Sequence, residues 1–338
     1  MSDLLARRGV SRSLDAYVVG LAFNRSGSRA GFALGDGNVA MAGAGGEWVS
    51  HAIHDGGVLC IAAGLDDGFV SGGDDGALVR VAPDGARLPI AQFHSKWVEQ
   101  LAVFKDAHVG LFACSVGKNV MLFDAAGKQF KQLPHPSTVT GICFDAKGKR
   151  VAAAHYGGAS LWYVAAKTDN PRKLEWKGSH TGISIHPGGD AVVTSMQENC
   201  LHGWRLADGQ HMRMSGYPGK TGSLSWTRGG KWLASAGADA IVLWPFTGGG
   251  PMGKPPLELA QIPEVICTQV ACHPQHDIVA AGYNDGTVVM ADLVGERVLQ
   301  VKAPGDGEVS ALCWNAQGTL LAFGTEDGLA GVVDLSAR

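Results

Sequence analysis

The sequence predicts an all-β protein made of eight copies of one short unit, because a six-residue apolar stretch recurs along the chain and a hairpin signal follows each copy. We call this stretch the frame and number the repeats one to eight. Successive frames end 40 to 46 residues apart, which leaves room for four short strands per repeat. The frames are VVGLAF (18–23), VLCIAA (58–63), VEQLAV (98–103), VTGICF (139–144), HTGISI (180–185), TGSLSW (221–226), CTQVAC (267–272) and VSALCW (309–314).

Two positions of the frame indicate a strand packed between neighbouring sheets. The fourth position is always aliphatic and the fifth is always small, as in Leu21-Ala22 and Ile142-Cys143. Adjacent residues of a strand face opposite sides of the sheet. Each frame therefore presents one bulky face and one small face, which suits a strand that lies between two other sheets.

The stretch SGGDDGALVR (71–80) illustrates the hairpin signal that follows each frame. Its adjacent carboxylates, Asp74 and Asp75, suit either a calcium or magnesium site or a tight turn. The same position recurs as Asp36-Gly37, Asp285-Gly286, Asp327-Gly328 and Asp239. Because glycine adopts positive φ without strain, Asp-Gly between apolar runs is typical of a hairpin turn. The recurrence favours the turn in every copy.

Four short strands at this period are typical of a radial β-propeller, and the chain resembles the WD-repeat family over about residues 5 to 335. The resemblance implies one closed domain, 1–338, of four-stranded antiparallel blades. We predict eight blades; seven, the commoner number in that family, is the alternative. Repeat eight lacks an outer strand, so residues 1–14 are expected to supply it and close the ring. The predicted repeat cores are 18–42, 58–81, 98–124, 139–163, 180–205, 221–245, 267–292 and 309–335.

In that family a histidine before the first strand, a Ser or Thr on the second, the turn Asp and a Trp on the third form a hydrogen-bonded structural set. The match here is partial: repeat two keeps His54, Ser71 and Asp75 but lacks the tryptophan. His94 and His135 hold the histidine position in repeats three and four, where glycine replaces the turn acid. We expect these two to be solvated loop residues. The other structural turn acids are Asp36, Asp239, Asp285 and Asp327.

Composition favours a folded chain in a reducing compartment. The sequence is 46% apolar and 17% charged, with a net charge of −3. The segment MSDLLARRGVSRSLD (1–15) has no apolar core of signal-peptide length, and no apolar run reaches the length of a membrane span. Seven cysteines, an odd number, are scattered at apolar positions. We therefore expect reduced thiols and a cytoplasmic location.

No motif in the sequence predicts catalysis or a cofactor. GxSxG, HExxH and a GxxxxGK[ST] phosphate loop are absent from it. The pairs His51/His54 and His273/His276, the second near two cysteines, have spacings that suit zinc. The repeat explains His54, however, and there is no CxxC. We predict no enzyme activity, no cofactor and no metal site, and keep an accessory role in zinc handling as an alternative function.

Charge is uneven along the chain. Residues 91–232 contain 17 Lys and Arg against 9 Asp and Glu, whereas residues 233–338 contain 4 against 12. In a ring this gives a basic arc and an acidic arc, and such a field can orient a charged partner. The lysines are mostly isolated in turns, without an aromatic run suited to base stacking. Nucleic-acid binding is therefore disfavoured, and an RNA-associated propeller is the second alternative.

The predicted function is a non-catalytic scaffold that binds a protein or peptide on one face of the ring, because loops on a rigid scaffold usually carry function. An exposed Trp97 beside Lys96 is typical of a partner anchor, although the indole could instead pack on a neighbouring loop. We expect a monomer or a member of a hetero-complex, with no membrane association. Residues 246–258 are expected to form a flexible loop. The candidate partner-binding residues are Tyr17, Lys96, Trp97, Tyr156, Lys220 and Glu308.

Overall fold

The computed structural model describes residues 3–336, which are almost entirely β-structure. The N-terminal elements are α1 (Leu4–Arg8) and β1 (Gly9–Ser13). Repeats one to three contain β2 (Val18–Phe23), β3 (Arg29–Leu34), β4 (Asn38–Gly43), β5 (Trp48–Ala52), β6 (Val58–Ala63), β7 (Phe69–Gly73), β8 (Ala77–Val81), β9 (Arg87–Gln92), β10 (Leu101–Lys105), β11 (Gly110–Val116), β12 (Asn119–Asp124) and β13 (Gln129–Pro134).

The remaining repeats complete the chain. Repeats four and five contain β14 (Val139–Phe144), β15 (Arg150–Tyr163), β16 (Arg172–Ile185), β17 (Ala191–Met196), β18 (Cys200–Arg205) and β19 (His211–Met214). Repeats six to eight contain β20 (Leu224–Trp226), a 3₁₀ turn (Arg228–Gly230), β21 (Trp232–Ser235), β22 (Ile241–Pro245), β23 (Leu257–Leu259), β24 (Cys267–Cys272), β25 (Ile278–Tyr283), β26 (Val288–Asp292), β27 (Val298–Lys302), β28 (Val309–Trp314), β29 (Leu320–Thr325) and β30 (Leu329–Asp334).

The sheets are arranged as blades around a centre. Consecutive strands pair antiparallel, and five four-stranded sheets each use strands in chain order: β2–β5, β6–β9, β10–β13, β20–β23 and β24–β27. The first strand of each sheet contacts the first strand of the next, as β2 contacts β6 and β24 contacts β28. The frames therefore line the middle of the ring, and the later strands lie outside.

The described residues form seven hydrogen-bonded sheets, the number of the stated alternative, rather than the eight separate sheets of the main prediction. Repeats four and five share one six-stranded sheet, β14 to β19. The cause is β16, whose first half pairs with β15 while its second half, the frame of repeat five, pairs with β17. β15 also folds back on itself at Gly157-Gly158, because Val164 N donates to Lys149 O at 3.0 Å. The six-stranded sheet thus contains four strand segments from each of two repeats, joined through β16, and eight frames surround the centre.

The N-terminal segment closes the ring. Strand β1 pairs antiparallel with β30, from Gly9 opposite Val333 to Ser13 opposite Leu329. The predicted closing strand, 1–14, is too long, because α1 precedes β1; Met1 and Ser2 lie outside the described residues. Asp3 caps α1 by accepting from Ala6 N at 2.9 Å and also accepts from Ala303 N at 2.9 Å. The segment therefore fastens the last blade to its neighbour.

Close approach of backbone holds neighbouring blades together at the centre. A Cβ added to Gly324 would lie 2.7 Å from Val18 Cβ, and one added to Gly282 would lie 2.3 Å from Val309 Cγ1. Only glycine fits such a contact, so the second strand of one blade packs directly on the first strand of the next. Ser310 Oγ also donates to Val18 O at 2.6 Å, which ties the last blade to the first.

The segment predicted as a flexible loop, 246–258, is partly regular. Its last two residues belong to β23, where Leu257 pairs with Leu243 and Glu258 pairs with Val242. The predicted end of the loop was wrong, because Pro255 and Pro256 are typical of a loop but directly precede the three-residue strand β23. Flexibility of the rest of the loop stays a prediction.

Candidate interaction face

Hydrogen bonds place the hairpin turns and the segments before the frames on one face of the ring. The turn of each repeat bonds to the segment that precedes the next frame. Thus Phe93 N donates to Gly76 O at 2.8 Å and His135 N donates to Lys118 O at 2.8 Å. At the closure, Leu14 N donates to Gly328 O at 2.9 Å. We call this surface the turn face.

Repeat two supports this face with a buried polar set. His54 Nδ1 donates to Asp75 Oδ1 at 2.9 Å, and His54 Nε2 accepts from Ser71 Oγ at 2.9 Å. Asp75 also accepts from Ala77 N at 2.9 Å. Burial raises the pKa of Asp75, but its hydrogen bonds from Ala77 and His54 outweigh burial and leave the pKa below the usual value. The Asp75 carboxylate therefore stabilises the hairpin turn by accepting these hydrogen bonds.

The other turn acids have different partners. Asp36 accepts from Asn38 N at 3.1 Å, and Asp285 accepts from Thr287 N at 2.9 Å. Asp239 accepts from Gln261 Nε2 at 2.9 Å, and Gly328, beside Asp327, has φ of 89°. Among residues 3–336, only Asp75 joins a histidine from the segment before the frame.

Repeat four corrects one expectation about the histidines. His94 is exposed, whereas His135 is buried and accepts from Trp162 Nε1 at 3.0 Å. Without a turn acid, the imidazole turns toward the tryptophan, and its Nδ1 has no hydrogen-bond partner within the described chain. Burial, helped by the neighbouring His155, lowers the pKa of His135 to about 4.

Tyr217 takes the place of histidine in repeat six, a substitution that was not predicted. Its hydroxyl accepts from Trp244 Nε1 at 2.5 Å and donates to Ser235 Oγ at 2.6 Å. Tyr217 lies four residues before its frame, as His54 does. That spacing was the sequence signal from which the role of Tyr217 could have been predicted.

Replacing Tyr217 with Phe should lower the free energy of unfolding by about 2 kcal/mol, because Ser235 and the indole of Trp244 would lose a buried partner. Chemical denaturation measures the change. Tyr163→Phe is the matched control, since Tyr163 is 61% exposed and should change stability little. Equal stability of the two variants would contradict a structural role for the Tyr217 hydroxyl.

The candidate binding residues are spread around the turn face rather than gathered at one point. Tyr17, Trp97 and Tyr156 are 42%, 56% and 67% exposed, respectively. Lys96 and Lys220 are exposed, and Glu308 is half-buried. Aromatic side chains this exposed are available for contact with another molecule.

Tyr17 and Glu308 mark an acidic sector of the turn face. Burial, with the charges of Glu326 and Glu308, raises the pKa of Tyr17. Burial and Glu326 likewise raise the pKa of Glu308. Glu326 N also donates to Glu308 O at 2.9 Å, so the two glutamates are neighbours and give this sector negative charge.

Trp97 and Lys96 lie in an open groove of about 400 Å³, which we call the Trp97 groove. The turn between β11 and β12 forms its opposite wall. The lining residues are Ser95, Lys96, Trp97, Glu99, Val116, Gly117, Lys118 and Asn119. It combines one large apolar surface with two lysines.

Tyr156 lies at a cavity of about 590 Å³, the Tyr156 cavity, which was not predicted. The cavity opens where the β15–β16 pairing is irregular: Tyr156 is opposite Ser179, but Gly158 is opposite Glu175. More residues separate the partners on β16 than on β15, so the strands part. A single sequence does not reveal such a bulge.

One histidine of each pair with zinc-like spacing is engaged in other hydrogen bonds. His54 binds Ser71 and Asp75, and His273 Nε2 donates to Gly318 O at 3.0 Å. Within residues 3–336, no group of three or more His, Cys, Asp or Glu side chains is placed to hold a metal ion. In the same part of the chain, no helix is long and apolar enough to cross a membrane.

Comparison with known proteins shows the fold. Residues 270–337 match the family model of the anaphase-promoting complex subunit 4 WD40 domain. The chain is 24% identical over 227 residues to telomerase protein component 1 of Mus musculus, a match that covers 63% of this chain and 8% of that protein. The chain thus spans a small fraction of this curated relative.

Two solved structures are similar over most of the chain. The computationally designed Ika8 protein superposes with a TM-score of 0.77 at 19% identity, covering 96% of this chain and 98% of Ika8. The RRP9 WD40 repeats superpose with a TM-score of 0.64 at 16% identity, covering 84% of this chain and 96% of theirs.

Proposed function

We propose that this chain, a β-propeller similar in fold to WD-repeat proteins, is a non-catalytic scaffold that binds a protein or peptide partner on the turn face. The observation that carries the proposal is Trp97, a large side chain 56% exposed beside Lys96 and Lys118. Indoles of this kind are enriched among the residues that dominate binding energy. The exposure also disfavours the alternative that Trp97 packs on a neighbouring loop.

The face suits a partner better than it suits a small molecule. The Trp97 groove is open to solvent, whereas sites for small ligands bury most of the ligand. The Trp97 groove lies within the basic arc and Tyr17 lies in the acidic sector, so the ring can orient a charged partner before contact. We propose a cytoplasmic monomer or a subunit of a hetero-complex.

Affinity purification from the native cells tests this function. The wild-type chain is compared with the double variant Trp97→Ala, Lys220→Glu, and co-purified material is identified by mass spectrometry. A protein recovered with the wild type and lost with the variant supports the scaffold and its face. Enrichment of RNA or zinc in place of any protein would replace the scaffold with one of the two alternatives.

Trp97→Ala alone should weaken binding of the recovered partner by about 2 kcal/mol of binding free energy, which raises the Kd about thirtyfold. The melting temperature should change little. Tyr163→Ala is the matched control. Tyr163 is about as exposed as Trp97, but it is the last residue of β15 and lies away from the turn at Gly157-Gly158. Titration calorimetry measures both. A loss of stability with unaltered binding would assign Trp97 to packing.

RNA association is the second candidate, and two observations favour it. The relative from Mus musculus is by its name a telomerase component, and the basic arc supplies positive charge. The match covers only 8% of that protein, so the scaffold remains the better proposal.

A further inference from the structure

The Trp97 groove and the Tyr156 cavity adjoin. Asn119 lines the groove and Pro134 lines the cavity, and these two residues are paired across β12 and β13. Paired residues of antiparallel strands lie about 5 Å apart. The two depressions are therefore separated only by this one residue pair, and an extended chain can cross from one to the other.

The walls of the cavity are apolar and rigid. Pro134, Pro136 and Pro171 line it, together with Leu174 and Trp176. Trp176 is held in place because its indole stacks on the buried His202 with ring centroids 4.0 Å apart. Cavities with such walls accept an apolar side chain.

The polar groups of the cavity floor already have partners. His155 Nδ1 donates to Tyr156 O at 2.9 Å, and His155 Nε2 accepts from Ser160 Oγ at 3.0 Å. Both side chains are buried. The floor therefore leaves no unpaired donor for a buried charge, so an entering group is best apolar.

The rim is basic. Lys173 and Lys177 lie at the cavity, and Lys96 and Lys118 lie at the groove. Each depression has a single acid: Glu99 lines the groove and Glu175 lines the cavity. Residues 91–232, which contain both depressions, carry the excess of 17 basic over 9 acidic residues. Charge complementarity thus favours an acidic ligand.

We propose that the groove and the cavity form one track for an extended acidic peptide segment, with one apolar side chain against Trp97 and a second in the Tyr156 cavity. Carboxylates of the segment pair with the rim lysines. This inference rests on the proposed function and adds the chemistry of the partner. Two apolar depressions joined by a short bridge fit a peptide better than a nucleic-acid strand, which needs stacking surfaces at each base.

The test is a selection of random displayed peptides on the full chain at physiological ionic strength. We expect enriched peptides to combine two separated large apolar residues with Asp or Glu. The peptide that binds most tightly is fluorescently labelled and titrated with the wild-type chain and with the double variant Lys173→Glu, Lys177→Glu. Both lysine side chains are exposed. The Kd of the peptide should rise at least about tenfold, because attraction becomes repulsion at the rim.

The matched control is Lys128→Glu, Lys147→Glu, which changes net charge equally at turns on the opposite face. It should change the Kd less than about twofold, because charges farther than a Debye length are screened. Tyr156→Ala should weaken the peptide as well. The apolar part of the track is thereby tested separately from its charge.

Equal binding by the two charge-reversal variants would overturn the track, as would enriched peptides without acidic residues. A single-stranded oligouridine RNA that binds more tightly than the peptide, and is lost with Lys173→Glu, Lys177→Glu, would assign the surface to RNA. If Trp97→Ala abolishes the native partner but the charge reversal does not, the scaffold function stands and the track alone falls.

Discussion

Deletion of residues 1–15 is expected to convert the protein into aggregates. The deletion removes β1, so the backbone groups of β30 from Leu329 to Val333 lose their partners. An exposed apolar edge strand pairs readily with other chains. Size-exclusion chromatography with light scattering measures the outcome, and a monomer with unchanged melting temperature would contradict the closing role of β1.

A shorter deletion, residues 1–8, separates edge exposure from simple loss of contacts. It removes α1, including the buried Leu4, but keeps β1 paired with β30. Burial of one leucine is worth about 2 kcal/mol, so this variant should stay monomeric with a lower melting temperature. Aggregation of both variants to the same extent would show that the edge is not the cause.

Acidification from pH 7.5 to pH 5 should lower the free energy of unfolding by about 4 kcal/mol through His135 and His202 alone. Burial lowers the pKa of His135 to about 4 and, with His211 and His180, that of His202 to about 3. In the unfolded chain both titrate near 6.5. The unfolded state therefore binds protons first, and stability falls as pH drops below about 6.5.

Denaturation at a series of pH values measures this slope. In the double variant His135→Gln, His202→Gln, most of the pH dependence that these two imidazoles contribute to the free energy of unfolding should disappear, since glutamine does not titrate. His108→Gln is the control, because the His108 side chain is exposed. A slope unchanged by the double substitution would mean that these two imidazoles are protonated in the folded state too.

The strands and their order were predictable because each depends on a local pattern. The frames of repeats one, two, four, seven and eight coincide with β2, β6, β14, β24 and β28. In repeats three and six the strand begins later than the frame, at Leu101 and Leu224. Apolar residues can continue beyond the part of a segment whose backbone is hydrogen-bonded in a sheet. The sequence pattern alone therefore does not determine the first residue of β10 or of β20.

The shared sheet was not predictable, because it depends on pairing between repeats. The residues WKGS (176–179), which link the outer strand of repeat four to the frame of repeat five, contain no proline and no Asp-Gly. Gly178, with φ of 118°, is the bend that lets β16 serve both. A lone glycine is compatible with a loop, a bulge or a continuous strand.

The site was predicted in part. The exposure of Trp97 and Tyr156 follows from their place beside turns. The Tyr156 cavity was missed because Trp176 belongs to a segment that was given no role. Trp176 and Tyr217 nevertheless occupy the position four residues before a frame, where His54 lies in repeat two. Comparing that position across all repeats would have singled out both residues.

Strand β16 has a consequence for the thermodynamics of recognition. Its first half walls the Tyr156 cavity, while its second half is hydrogen-bonded into repeat five. The cavity wall is therefore ordered before any ligand arrives, and little backbone entropy remains to be lost on association. Binding there should be governed by fast, lock-and-key docking, with amide hydrogens of β16 protected equally in the free and bound states.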